Sequence, residues 1–249
     1  MNITGQTILI TGGGTGIGRA LAEDLHARGN QIIITGRREA PLKAFVEANP
    51  GMAWASLDVA NTGSLPAFVS QLLSDHPSLN VVINNAGVMV SEDLNAPDLA
   101  VVDAMLTTNI SGPIHLTLAL LPHLRQQAEA TIINVTSGLA FVPLAATPTY
   151  NATKAALHSW TQSLRHQLRD TAIEVLELAP PAVATDLMPG HAENPSSMPL
   201  QAYRDEVMAL IDSGQTPQGE ILVQRVLPLR HAESTGRWAE VFDLVNGLH

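Results

Sequence analysis

Tyr150 and Lys154 stand four residues apart in Tyr150-Asn151-Ala152-Thr153-Lys154. On a helix that spacing puts a phenol and an amine on one face, within reach of each other. A free phenol titrates near 10, and bringing it to about 7 takes roughly 4 kcal/mol of preferential stabilisation of the phenolate, which a neighbouring ammonium can supply in large part. Such a pair can give a proton to a substrate oxygen or take one from it. A lone tyrosine is more often structural, but the chain has only two tyrosines and two lysines, and one of each falls into this pair.

The elements that must hold the pair follow from the hydrophobic pattern. Thr147-Pro148 is a suitable helix opening, with Thr147 as cap and Pro148 in the first turn, so the helix is expected to run over Pro148–Leu168. Short β-branched runs at Ile8–Thr11, Gln31–Thr35, Ala53–Leu57, Val81–Asn84, Thr131–Thr136 and Glu174–Leu178 alternate with helix-like stretches. Continuous apolar runs of this kind suit strands buried on both faces of a parallel sheet. The expected fold class is therefore α/β: a Rossmann-type, doubly wound, mostly parallel sheet of six or seven strands with helices on both faces. A seventh strand is placed at Glu220–Val223, and residues 1–249 are read as one dinucleotide-binding and catalytic domain. Pro189, Gly190, Pro195 and Pro199 break periodicity before a helical stretch near Ala202–Ile211, so residues 186–212 read as a variable loop over a site or as a plain surface excursion.

The first strand runs into Thr11-Gly12-Gly13-Gly14-Thr15-Gly16-Ile17-Gly18, and a helix begins at once. Glycines there let the chain turn sharply and bring amides against a pyrophosphate at the positive end of the helix. The spacing differs from the usual dinucleotide fingerprint. The second strand ends in Thr35-Gly36-Arg37-Arg38, where an NAD site usually carries a carboxylate for the ribose 2′-hydroxyl. No acid stands there. A guanidinium can instead grip a 2′-phosphate through paired hydrogen bonds, so NADP(H) is expected over NAD(H), with arginines that merely solvate a strand end as the competing reading.

With Asn84-Asn85-Ala86-Gly87 after the fourth strand and Tyr150-x3-Lys154 thirteen residues beyond Ser137, the chain resembles the classical short-chain dehydrogenase/reductase family over roughly residues 5 to 186. The resemblance implies Ser137, Tyr150, Lys154 and Asn109 as the catalytic set, Asn109 holding a water in a proton relay. It implies that Gly12, Thr15, Gly16, Ile17 and Gly18 cradle the pyrophosphate, with Arg37 and Arg38 beside the ribose. Asp58 and Val59 would meet the adenine, Asn85, Ala86 and Gly87 the adenosine ribose side, and Pro180, Val183 and Thr185 the nicotinamide carboxamide. Ser137 ends the fifth strand, at the sheet edge where such folds bind ligands, and its hydroxyl could hold a carbonyl beside Tyr150. Pro181 departs from the family's Pro-Gly and removes an amide donor, and the carboxyl end lacks the family's Asp-Gly-Gly close.

A hydride acceptor or donor of apolar character is expected from Met89, Leu139, Phe141, Ala182, Leu187 and Met188, which would line a cleft suited to a hydrophobic ketone or aldehyde. The reading is an NADPH-dependent carbonyl reductase or alcohol dehydrogenase acting on a small molecule; the alternative is a non-catalytic NADP(H)-sensing regulator. A net charge of −10 argues against a nucleic-acid partner, and no apolar run at the amino end suits a signal core or membrane span. The lack of cysteine fits a reducing compartment, and a cytoplasmic homodimer or homotetramer is expected. No metal is expected: the histidines show no ligand spacing, and His158 is read as a solvated or packed imidazole without a nearby carboxylate.

Overall fold

The computed structural model describes residues 2–190 and 192–247. Parallel strands β1 (Thr7–Thr11), β2 (Gln31–Gly36), β3 (Ala53–Ser56), β4 (Val81–Asn84), β5 (Ala130–Val135), β6 (Ile173–Leu178) and β7 (Glu220–Ile221) form one sheet in the order β3-β2-β1-β4-β5-β6-β7. The order reverses between β1 and β4, and in such sheets the crevice at that reversal, beyond the carboxyl ends of the strands, is where ligands bind.

The isoleucine-rich runs become strands because alternate residues serve opposite faces. Ile8, Ile10, Ile32, Ile34, Ile133 and Val135 pack into one core layer with α1 (Gly16–Ala27) and α2 (Glu39–Ala48). Leu9, Ile33, Val82, Ile132 and Val175 point the other way, onto α3 (Leu65–Asp75) and onto the helices on that side that flank β5 in sequence. Each such side chain, removed wholly from water, contributes about 1.5–3 kcal/mol.

Helix α4 (Leu99–Leu106) continues through a π-helical turn at Thr107–Ser111 into α5 (Gly112–Leu124). The run Leu99–Leu124 is long and apolar enough, by length and composition, to cross a membrane. Its Leu116, Leu120 and Leu124 are fully buried in the second core layer. Helix α6 (Pro148–Leu168) lies beside it and packs on β6. Thr147 does precede α6 and Pro148 opens it, but the Thr147 hydroxyl does not cap the helix; it donates instead to the Leu144 carbonyl and the Asn151 side-chain oxygen.

The helical stretch expected near Ala202–Ile211 forms α7 (Leu200–Asp212), which buries Tyr203, Val207, Met208 and Ile211 in the first core layer and packs on α1, so this part of the expected loop belongs to the core. The path after Pro180-Pro181 is fixed by a bridge between Val183 and Met198, with Ala184 N donating to Met198 O at 2.9 Å and Met198 N to Ala182 O at 2.8 Å. The carboxyl end forms α8 (Leu227–Arg230) and α9 (Trp238–Asn246). Val241 and Phe242 of α9 close over Val142, and the Asn246 side chain ties down the loop through Pro143 O and Ala145 N.

Candidate active site

A cleft of about 490 Å³ opens at the carboxyl ends of β1, β2, β4 and β5. One end is the glycine turn. Gly12 and Gly16 hold φ of +65° and +53°, which a side chain rarely adopts. A Cβ on Gly18 would collide with the Asn85 amide and lie 2.6 Å from the Gly12 carbonyl, so glycine is required for α1 to seat against the turn. Asn85 and Ala86 hold the turn from the other side: both backbone amides donate to Thr11 Oγ1 at 3.0 Å, and Asn85 Nδ2 donates to the carbonyls of Thr11 and Gly12. Helix α1 has neither a side-chain cap nor an acid in its first turn, so its amino-terminal amides are left for an anion from the cleft.

Thr15, Ile17, Arg37, Arg38, Asp58, Val59 and Gly87 line the same cleft. Arg37 and Arg38 are exposed, and among the described residues neither guanidinium is paired with a carboxylate. Pro180, Val183 and Thr185 form the far wall, with Thr185 3.5 Å from the position a Cβ on Gly16 would take. An anion-receptive helix end and a cradle that side chains would fill fit the pyrophosphate of a dinucleotide.

At the other end of the cleft lie Ser137, Tyr150 and Lys154. Three successive residues at the end of β5 meet three residues spaced by four on α6. Ser137 faces the Tyr150 phenol and favours its charged form. The Val135 carbonyl accepts from Lys154 Nζ at 2.8 Å. Thr136 shares the Glu177 carboxylate with His158: Thr136 Oγ1 donates to Oε1 at 2.6 Å, and His158 Nδ1 lies 2.8 Å from Oε2. Asn109 sits in the π-helical turn, where its Oδ1 accepts from Val88 N at 2.9 Å and its Nδ2 donates to Val88 O and Thr153 Oγ1. Such turns re-aim side chains inside a helix. Asn109 Oδ1 and Lys154 Nζ both lie within 3.6 Å of the space over Gly87.

Tyr150 and Lys154 are 5% and 4% exposed, and this burial decides their proton affinities. The phenol is pushed up to about 12 by loss of water, with Ser137 pulling the other way. The amine is pushed down to about 8 by the same burial, opposed by the Glu177 carboxylate. The expected drop of the phenol toward neutrality is therefore corrected for the protein by itself. Both charged forms lose hydration together, and the ammonium, 5.6 Å from the ring centroid, is directed at the Val135 carbonyl.

Of the expected substrate residues, Met89 and Leu187 line the cleft. Leu139 and Met188 pack behind it with Met89, Met105 and Tyr150. Phe141 and Ala182 are not among its lining residues: Phe141 is edge-on to His158 at 5.0 Å and lies under Arg230. His158 has a carboxylate neighbour after all, which corrects the reading of it as a solvated or packed imidazole. Ligand atoms of His158, Glu177 and Glu220 fall within 4.8 Å of one another. Arg230 grips Glu220 with two hydrogen bonds, and Arg165 also faces Glu177 and Glu220, so the charges form an ion-pair network rather than a cation cage. Sequence reasoning missed Glu177 because β6 carries a second acid, Glu174, and spacing does not say which of the two is buried; a carboxylate between Leu176 and Leu178 demands partners, which was the available signal.

A family profile described as short chain dehydrogenase matches residues 6–195. The chain belongs to this family. It is 42% identical over 241 residues to Uncharacterized oxidoreductase DltE of Bacillus subtilis (strain 168), covering 93% of each chain. It is 32% identical over 186 residues to Uncharacterized oxidoreductase SERP2049 of Staphylococcus epidermidis, covering 74% of this chain and 81% of the relative. Among solved structures, a short-chain dehydrogenase from Streptomyces avermitilis superimposes with a TM-score of 0.83 at 25% identity over 96% of both chains. A Burkholderia cenocepacia J2315 short chain dehydrogenase in complex with NADP shares the fold at a TM-score of 0.83 and 24% identity, over 96% of this chain and 97% of that one. A Burkholderia phymatum relative in complex with NAD does so at 0.82 and 21%, over 99% and 97%. The protein is thus a short-chain dehydrogenase family oxidoreductase with the family's nicotinamide-binding fold, acting on a small molecule.

Proposed function

We propose that this oxidoreductase is an NADPH-dependent carbonyl reductase, with Tyr150 as the proton donor to the oxygen of a hydrophobic ketone or aldehyde. The observation that carries the reading is the meeting of Ser137, Tyr150 and Lys154 at one end of the cleft whose other end holds the glycine turn, Arg37 and Arg38. The bound nicotinamide supplies the hydride. The amides at the start of α1 hold its pyrophosphate, Arg37 and Arg38 its 2′-phosphate, and Lys154 its ribose. Ser137 orients the substrate oxygen, and Tyr150 gives it a proton. A phenol held near 12 is fully protonated at neutral pH, which is the state a proton donor in the reducing direction requires. Val88, Met89, Val90 and Leu187 give the adjoining wall its apolar character. The same reading has the enzyme in the cytoplasm as a homodimer or homotetramer on the outer faces of α5 and α6, where Leu118 is half exposed.

Reductase activity is tested by adding aryl ketones and aldehydes to the protein with NADPH or NADH and following nicotinamide absorbance. Arg37→Ala tests the cofactor assignment separately. Losing charge-assisted hydrogen bonds of about 1.5–3 kcal/mol is expected to lower kcat/KM with NADPH by about 10- to 100-fold. The value with NADH should hardly move, because the 2′-hydroxyl offers the guanidinium no charge. Equal losses with both cofactors would remove Arg37 from that role.

A further inference from the structure

We infer that Glu177 is a positioning residue of the active site: a buried carboxylate, anchored by Thr136 and His158, that acts as the counter-ion of the Lys154 ammonium and keeps it charged. The catalytic consequence rests on the reading of Tyr150 and Lys154 as the proton-handling pair; the counter-ion role itself does not.

The Glu177 side chain is wholly buried, and a carboxylate there is strongly disfavoured unless opposite charge and hydrogen bonds surround it. On β6 it stands opposite Asn134 in the parallel register, one residue short of the strand end. Its hydrogen bonds run to Thr136 at 2.6 Å and to His158 at 2.8–2.9 Å. Thr136 lies between Val135, whose carbonyl accepts from the lysine, and Ser137, which faces the phenol. His158 lies one helical turn beyond Lys154, just as Lys154 lies one turn beyond Tyr150. The carboxylate therefore completes a three-rung contact between the end of β5 and one face of α6.

Glu177 also faces His158, which it bonds directly, and Arg165 and Arg230, but these stay partly exposed, and of the side chains around it that can carry positive charge Lys154 is the one fully withdrawn from water. From α6 come Tyr150, Lys154, His158 and Arg165; from β7, Glu220; from α8, Arg230. Arg230 forms a two-pronged pair with Glu220 at 2.8 and 3.0 Å. Arg165 directs its donors to the carbonyls of Val175 and Gly219. Among the described residues the Lys154 ammonium has the neutral Val135 carbonyl as its hydrogen-bond acceptor, and the Glu177 carboxylate supports its charge.

Glu177→Gln keeps the size of the side chain and an acceptor for Thr136 while removing the charge. The chain contains two lysines, so protein carrying 13Cε-lysine gives two signals to follow against pH, with exposed Lys43 as internal control. Glu177→Gln is expected to lower the Lys154 midpoint by about one pH unit and leave Lys43 in place. Glu177→Asp, which draws the carboxylate back by one methylene, should fall between parent and Gln and serves if the Gln protein does not fold. The alkaline limb of kcat for carbonyl reduction should move down with the Lys154 midpoint, while KM is unchanged. An unmoved Lys154 midpoint in a folded variant overturns the counter-ion role. A moved midpoint in a protein whose Tyr150→Phe variant reduces carbonyls as fast as the parent upholds that role and overturns the reading of Tyr150 as proton donor instead.

Discussion

Tyr150→Phe is expected to lower kcat for carbonyl reduction by about 10³-fold, within the range that one positioned acid contributes. The substitution removes the hydroxyl proposed to protonate the substrate oxygen and leaves the ring in its cluster with Met89 and Met105. Dinucleotide affinity should stay within about twofold, because the phosphate-binding end of the cleft is formed by the glycine turn and its partners, remote in sequence from position 150. The two quantities are read together, kcat from steady-state turnover and affinity from the quench of tryptophan fluorescence or enhancement of NADPH emission. Parallel loss of both would indicate a collapsed site rather than a missing acid, and unchanged turnover would end the assignment of Tyr150 as proton donor.

Lys154→Met is expected to abolish most turnover and, more unusually, to change how stability depends on pH. The Lys154 amine titrates at about 8 in the folded protein against an ordinary 10.5. Between those values the unfolded chain binds the extra proton, so the parent gains stability as pH rises through this window and loses it as pH falls back toward 8. The interval corresponds to about 3 kcal/mol. Methionine approximates the length of the lysine stem without a titrating group. The unfolding free energy of the parent minus that of Lys154→Met, from urea titrations, should therefore rise by about 3 kcal/mol between pH 8 and 10.5. Tyr150 acts with opposite sign in a higher window. Its folded form keeps the proton up to about 12, so its stabilising contribution is full below 10 and disappears between 10 and 12. Parallel parent and variant curves from pH 8 to 10.5 would show that burial does not depress the Lys154 amine.

The residues most legible in the sequence were those whose role is fixed by local spacing. A glycine turn between strand and helix, a tyrosine and lysine one helical turn apart, and alternating β-branched runs declare themselves because periodicity and backbone permissiveness are local properties. Strand boundaries followed within a residue or two: β4 at Val81–Asn84 as expected, β5 at Ala130–Val135 rather than Thr131–Thr136. The sheet order and the crevice at its reversal follow from the same alternation.

What the sequence determined by itself, then, was the family's fold and the shortlist of groups able to handle a proton. Tertiary structure alone decided how those groups are charged and which others join them. Glu177 lies 19 residues from His158, and only parallel pairing of β6 with β5 brings its carboxylate against Thr136 and that imidazole. Asn109 depends on a π-helical turn that no residue type announces, and α7 proved to be core because it packs on α1. The physical reason is common to all three: spacing along the chain sets which side chains can be neighbours on one element, whereas desolvation and partner choice arise only when separate elements close over the same volume and exclude water.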